Sequence, residues 1–150
     1  IGYQPNIILA GREINDNMGN YVVSVLRKEM KKKNIKLKNS RVLIMGLTFK
    51  ENCADIRNSG VKNIIDELKK YSCKLDLHDP WADSKKIIKL YGLAPKKKLS
   101  VNYYDAIILA VAHDKFKKMG ENKIINLCKK NYIVYDLKFL FSKDKFSLRL

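Results

Sequence analysis

Apolar positions along this chain follow two different rhythms. From about Ile7 to Lys33, the residues Ile14, Met18, Val22, Val25, Leu26 and Met30 recur every three or four positions, with Arg12, Asn15, Ser24 and Lys28 between them. That spacing predicts a long amphipathic helix. Asn34, Lys38, Asn39 and Ser40 interrupt the period, so a linker is expected near Lys33 to Ser40. Val42, Leu43, Ile44 and Met45 then run without alternation, as a strand covered on both faces does, and Gly46 lets the backbone turn out of the sheet. Helical spacing returns at Val61, Ile64, Ile65, Leu68 and Tyr71, with Asn58 or Ser59 as the expected cap.

The second half repeats the alternation of strand and helix. Lys74 to His78 reads as a strand stopped by Asp79-Pro80, and Ser84 to Tyr91 as a short helix ended by Gly92. Tyr104 to Ala112 is the most apolar run and predicts a central buried strand, with His113 and Asp114 in its turn. Helical segments follow around Lys115 to Met119 and Lys123 to Lys129, and Tyr132 to Asp136 is expected to be the last strand. Such alternation implies right-handed crossovers and a mainly parallel sheet. The expected fold is α/β, a Rossmann-like three-layer sandwich preceded by a long amphipathic helix. Its expected organisation is a helix and linker over 1–40 and an α/β domain over 41–150. The helix either covers its own sheet or forms a connecting or dimer-forming element.

Charge and cysteine usage narrow the partners. With 31 basic against 15 acidic residues, the 150-residue chain carries a formal +16. Such a surface attracts nucleotides, polyanions or acidic partners. A nucleic-acid-binding module is therefore a second reading, but interleaved aromatics of the RNA-recognition kind are missing. Cys53, Cys73 and Cys128 are odd in number and far apart, which fits reduced thiols in a cytosol rather than disulfides or a metal finger. The apolar runs are too short to span a bilayer and no signal peptide opens the chain. Its abrupt start at Ile1 without a methionine suggests a fragment of a longer enzyme.

The candidate chemistry gathers after the first strand, because ligands of open α/β sheets sit at the carboxyl ends of the strands. Lys50 stands there as an anion contact beside Phe49, and Asp55 and Arg57 are spaced to brace the loop as a carboxylate–guanidinium pair. A dinucleotide fingerprint needs three glycines at this turn. This chain has only Gly46, followed by the bulky Leu47-Thr-Phe-Lys-Glu-Asn52, so NAD binding by this domain alone is disfavoured. Cys53 near Lys50 and Arg57 lacks the base and orienter that a nucleophile needs. His78 and His113 read as strand-terminal polar residues, Asp79 as a strand-ending turn, and Met18 and Met30 as packing residues.

The stretch Gly46-Leu-Thr-Phe-Lys-Glu-Asn-Cys-Ala-Asp-Ile-Arg-Asn-Ser59 closely resembles the carboxy-terminal domain of the UDP-glucose/GDP-mannose dehydrogenase family. The similarity continues through Asp79-Pro80 and the Tyr104 to His113 segment, and back into Ile8 to Gly19. The form of the helix start and of Ala110-Val-Ala-His113 looks most like the branch acting on UDP-N-acetylhexosamines in capsule, O-antigen and Vi-type polysaccharide synthesis. The resemblance implies an enzyme that oxidises the sugar C6 hydroxyl to a carboxylate with NAD, through a cysteine in its amino-terminal part; UDP-glucose is the alternative substrate. It places NAD on the absent amino-terminal domain and leaves no catalytic residue in this chain, where Cys53 does not match the catalytic motif. It implies substrate contacts from Phe49 and Lys50, with Lys138 standing where the family often has an arginine. It also implies a cytosolic homodimer formed through the long helix, with Ile14, Met18, Val22 and Leu26 at the interface.

Overall fold

A computed structural model describes residues 6–142 and 148–150, with side chains from residue 17 onward. Helix α1 spans Asn6–Lys32 and is followed by β1 (Arg41–Met45), α2 (Val61–Lys69), β2 (Lys74–His78), α3 (Ser84–Tyr91) and β3 (Tyr104–Leu109). Helices α4 (Asp114–Met119) and α5 (Glu121–Asn126) then lead to β4 (Cys128–Asp136) and β5 (Leu148–Arg149). The five strands form one parallel sheet in the order β2-β1-β3-β4-β5.

β1 lies between β2 and β3, and its lack of alternation has a direct cause. Val42 and Ile44 enter the core shared with α1, α2 and α3, whereas Leu43 and Met45 enter the opposite core with Phe116 of α4 and Ile124 of α5. All four are fully buried, worth about 1.5–3 kcal/mol each relative to exposure. The layers are thus helix, sheet, helix, as the alternation predicts.

Four expectations change in detail. The apolar face of α1 at Val22, Leu26 and Met30 is fully buried within its own domain, so Val22 and Leu26 cannot also face a partner subunit. On that helix Met18 and Tyr21 remain exposed, while the side chain of Ile14 lies outside the described residues. The expected linker is a packed turn: the Ile35 amide donates to the Met30 carbonyl, and Leu37 is buried. Neither Asn58 nor Ser59 is the cap of α2; that position is Gly60, although the Ser59 hydroxyl still accepts from the Val61 amide at 3.4 Å. Finally, Cys128 begins a strand rather than continuing a helix, and β4 is followed by an edge strand, β5, of two residues, too short to show a pattern.

The strand order fixes where a ligand can sit. The chain runs from β1 out to β2 and returns across β1 to β3, so the crossovers diverge between the tips of β1 and β3. Ligands of open parallel sheets bind in the crevice outside that divergence. Gly46 makes the crevice possible. It has φ +90°, and a Cβ added there would stand 2.6 Å from Val111 Cβ and 2.8 Å from the Val111 amide nitrogen.

Candidate functional site

The segment leaving β1 is held from several sides. The Leu47 amide donates to Asp79 Oδ2 at 2.7 Å, and the Leu47 carbonyl accepts from the Tyr91 hydroxyl at 3.4 Å. The Thr48 carbonyl accepts from Ser59 Oγ at 3.2 Å, while Thr48 Oγ1 donates to the Lys50 carbonyl at 2.9 Å. The Phe49 amide donates to the Asp55 carbonyl at 2.7 Å and the Asn52 amide to His113 Nδ1 at 3.0 Å. Asn52 also exchanges hydrogen bonds with Asp114, through its side-chain amide at 2.8 Å and to the Asp114 amide at 3.1 Å. Asn52 and Asn58 take positive φ, as short amide side chains tolerate, and this folds the loop back on itself.

His113 and Asp79 meet beneath this loop. His113 Nε2 lies 3.1 Å from Asp79 Oδ2, and neither side chain has solvent exposure. Asp79 Oδ1 takes the amides of Trp81 and Ala82 at 2.8 and 2.9 Å, so the expected strand-ending turn is present. Burial alone would raise the Asp79 pKa, but the hydrogen bonds from His113 and from the Leu47, Trp81 and Ala82 amides outweigh it and hold the carboxyl below its ordinary value. His113 is thus more than a polar strand end. His78 is closer to that description, with Nδ1 2.7 Å from the Lys96 carbonyl.

Above the loop lies an open groove of about 1140 Å³. Phe49, Lys50 and Lys138 all line it, together with Met18 and Val22 of α1 and the start of α2. Phe49 is 62% exposed, so its ring is open to pack against a ligand in the groove. Among the described residues, the ammonium groups of Lys50 and Lys138 make no ion pair, whereas Lys62 in the same groove pairs with Asp66. Arg57 meets Asp55 in two parallel bonds of 3.0 and 2.8 Å and is spent on that partner. The Arg57 hydrogen bonds hold the Asp55 carboxyl well below the usual carboxylate range, although the pair is exposed. Lys138 is carried by the β4 tip, where buried Asp136 accepts the Lys138 and Phe141 amides at 3.1 Å each.

The groove therefore offers two ammonium groups with no ion pair among the described residues and an exposed ring at the sheet's carboxyl rim, a set suited to a phosphate with an attached ring system. It does not fit a dinucleotide laid across the β1 turn. Leu47 and Thr48 fill that turn and are buried, their polar groups already partnered, and α2 begins only at Val61. Cys53 donates to the Lys50 carbonyl at 3.3 Å, a structural contact with no base beside it among the described residues. No group of three or more acidic, cysteine or histidine residues able to hold a metal occurs among the described residues.

Residues 43–143 match the sequence model of the UDP-glucose/GDP-mannose dehydrogenase family, UDP binding domain. The chain belongs to that family. Relatives of this dehydrogenase domain include the UDP-N-acetyl-D-glucosamine 6-dehydrogenases of Salmonella typhi and Pseudomonas aeruginosa, 49% and 51% identical across the whole chain. The chain spans only 35% and 36% of those proteins. The fold is that of an NDP-N-acetyl-D-galactosaminuronic acid dehydrogenase from Methanosarcina mazei, with a TM-score of 0.81 over 97% of this chain and 30% of the other at 22% identity. It is also that of a UDP-D-ManNAc dehydrogenase from Pyrococcus horikoshii, with a TM-score of 0.78 over 98% of this chain and 34% of the other. No helix among the described residues of the dehydrogenase domain is long and apolar enough to cross a membrane.

The structure brings the expected Phe49, Lys50 and Lys138 to one groove and pairs Asp55 with Arg57, whereas the way the loop bearing the first two is held was not expected from the sequence. The signal lay in two strand ends. Asp79 closes β2 and His113 follows β3, and the order β2-β1-β3 brings both beneath the loop that leaves β1.

Proposed function

We propose that this chain is the nucleotide-sugar-binding domain of an NAD-dependent UDP-N-acetylhexosamine 6-dehydrogenase. The observation that carries the reading is one groove that holds the exposed Phe49 ring and the ammonium groups of Lys50 and Lys138, which make no ion pair among the described residues, in a chain of the UDP-binding family. Lys50 meets a diphosphate or sugar oxygen, Phe49 packs on the base or sugar ring, and Lys138 adds a second cation from the β4 tip. As a lysine, Lys138 contributes a point charge rather than the bidentate fork of an arginine. Asp55 and Arg57 brace the loop and keep that guanidinium away from the ligand.

The activity of the whole protein follows the same line. It oxidises the C6 hydroxyl of a UDP-hexose to a carboxylate, a four-electron change in which water supplies the second oxygen and two NAD, bound in turn by the amino-terminal domain, each accept one hydride. This chain's part is to bind and orient the nucleotide and to exclude water from it. The names of the Salmonella and Pseudomonas relatives favour UDP-N-acetylglucosamine as substrate, with UDP-glucose as the alternative. A cytosolic homodimer completes the proposal; among the described residues of α1, Met18 and Tyr21 are the exposed large hydrophobic side chains that can meet a partner.

Titration of the chain with UDP, followed by amide NMR, tests the binding reading. Lys50→Ala is expected to weaken UDP binding about 10- to 100-fold, the worth of a charge-assisted hydrogen bond, and Lys138→Ala by less. Equal affinity in wild type and Lys50→Ala removes Lys50 from the site.

A further inference from the structure

We propose that His113 and Asp79 are positioning residues, which set the backbone from Leu47 to Asn52 so that Phe49 and Lys50 project into the groove. The inference rests on the nucleotide-sugar reading of that groove and adds to it the device that presents its ligands.

Hydrogen-bond direction fixes how the device works. His113 Nδ1 accepts the Asn52 amide, so the ring hydrogen sits on Nε2 and points to Asp79 Oδ2 at 3.1 Å, with Thr48 Oγ1 nearby at 3.3 Å. The Thr48 hydroxyl passes its own hydrogen to the Lys50 carbonyl. Asp79 Oδ2 also takes the Leu47 amide. The two side chains therefore tie the segment at residues 47 and 52, and through Thr48 at residue 50. The Phe116 ring stands edge-on to the imidazole at 5.3 Å and fixes its plane.

Burial shows what these contacts are for. A carboxylate and an imidazole with no solvent exposure are costly to desolvate, and an apolar pair would fill the same space more cheaply. Their polar partners are the β1 loop and the turn at Trp81 and Ala82 rather than the strands of the sheet. The cost thus goes into loop geometry. Ser59 and Tyr91 hold carbonyls of the same loop from the α2 and α3 side, while Asp79 and His113 hold amides from beneath. A ligand group on a fixed backbone needs only its side-chain rotamers ordered on binding, which preserves affinity.

Amide exchange and UDP titration on the same samples test the proposal. His113→Ala and Asp79→Asn are expected to speed exchange of the Asn52 and Leu47 amides respectively, and to weaken UDP binding about tenfold, the scale of one lost hydrogen bond. His113→Asn, whose side-chain oxygen can stand near the position of Nδ1, is expected to recover part of both. Lys50→Ala is expected to lose affinity without changing exchange. Tyr104→Phe, which removes the 3.0 Å bond to Asp76 away from the loop, is expected to lower stability and leave UDP affinity unchanged. If His113→Ala does not fold, Asp79→Asn and Thr48→Val carry the comparison. Wild-type UDP affinity in folded His113 and Asp79 variants, with Lys50→Ala impaired, overturns the positioning role and leaves the site standing. Wild-type affinity in Lys50→Ala removes Lys50 from the site, and the positioning role argued for it falls as well.

Discussion

Replacing Gly46 by alanine strikes the point on which the crevice depends. The residue takes φ +90°, and the new methyl group would meet Val111 Cβ at 2.6 Å and the Val111 backbone nitrogen at 2.8 Å. Two costs follow. The backbone strain of an L-residue at positive φ is of order 1–3 kcal/mol, and forcing a methyl into packed surroundings adds about 1–3 kcal/mol. The second cost cannot be relieved by a rotamer change, because Val111 backbone atoms are among the contacts. Moving the backbone instead would strain the 2.9 Å bonds from Gly46 N to the His78 carbonyl and from Ala110 N to the Met45 carbonyl, which knit the strand tips together. A total loss of about 2–6 kcal/mol is expected, a large share of a domain's usual 5–15 kcal/mol. Gly92→Ala separates the terms, since Gly92 has φ +70° but nothing within 4 Å of its added Cβ. Urea unfolding of both variants measures the difference in midpoint. Equal losses at the two positions would refute the steric argument, and with it the claim that β1 and β3 need this close approach.

Other consequences are open to measurement. Asp79 has its carboxyl pKa lowered on folding, so its contribution to stability is complete above its ordinary value of 3.8 and is lost as pH falls through the lower, folded value. Wild-type stability is therefore expected to drop more steeply below about pH 4 than that of Asp79→Asn, as followed by urea midpoints across pH. Leu26→Ala empties a fully buried site and is expected to cost about 2–5 kcal/mol, whereas Met18→Ala at the exposed side of α1 costs less than about 1 kcal/mol; denaturant curves of the two would disagree with the packing if their order reversed. Burial pushes the thiols of Cys73 and Cys128 up to about 11 and about 12, so alkylation at mild alkaline pH is expected to label Cys53 first, with peptide mapping as the readout.

How far the sequence reached depended on the range of the interactions concerned. β1 and β3 were legible because a strand buried on both faces is apolar at successive positions, as Val42 to Met45 are. The short helix α3 was legible at its end, where Gly92 adopts the left-handed conformation its position requires, while the Asp83 cap that accepts from the Lys86 amide at its start went unread. β5 has two paired residues and no periodicity to detect. The α1 face was ambiguous because the same apolar spacing serves a partner subunit or the chain's own sheet, and packing on α2 and the sheet settled Val22 and Leu26. The His113–Asp79 contact joins residues far apart in sequence, so it could be found only by combining the strand order with the rule that parallel strands end at one rim.

The central claim is that a nucleotide sugar lies in the groove lined by Phe49, Lys50 and Lys138, and shift mapping with UDP tests it most directly. A second, smaller groove of about 550 Å³, lined by Lys97, Lys118 and Lys123, lies on the α4 and α5 side and offers a basic alternative. UDP is expected to move the amide resonances of Phe49, Lys50, Ser59 to Val61 and Lys138, and to leave those of Lys97, Lys118 and Lys123 in place. Shifts confined to the second set would contradict the account.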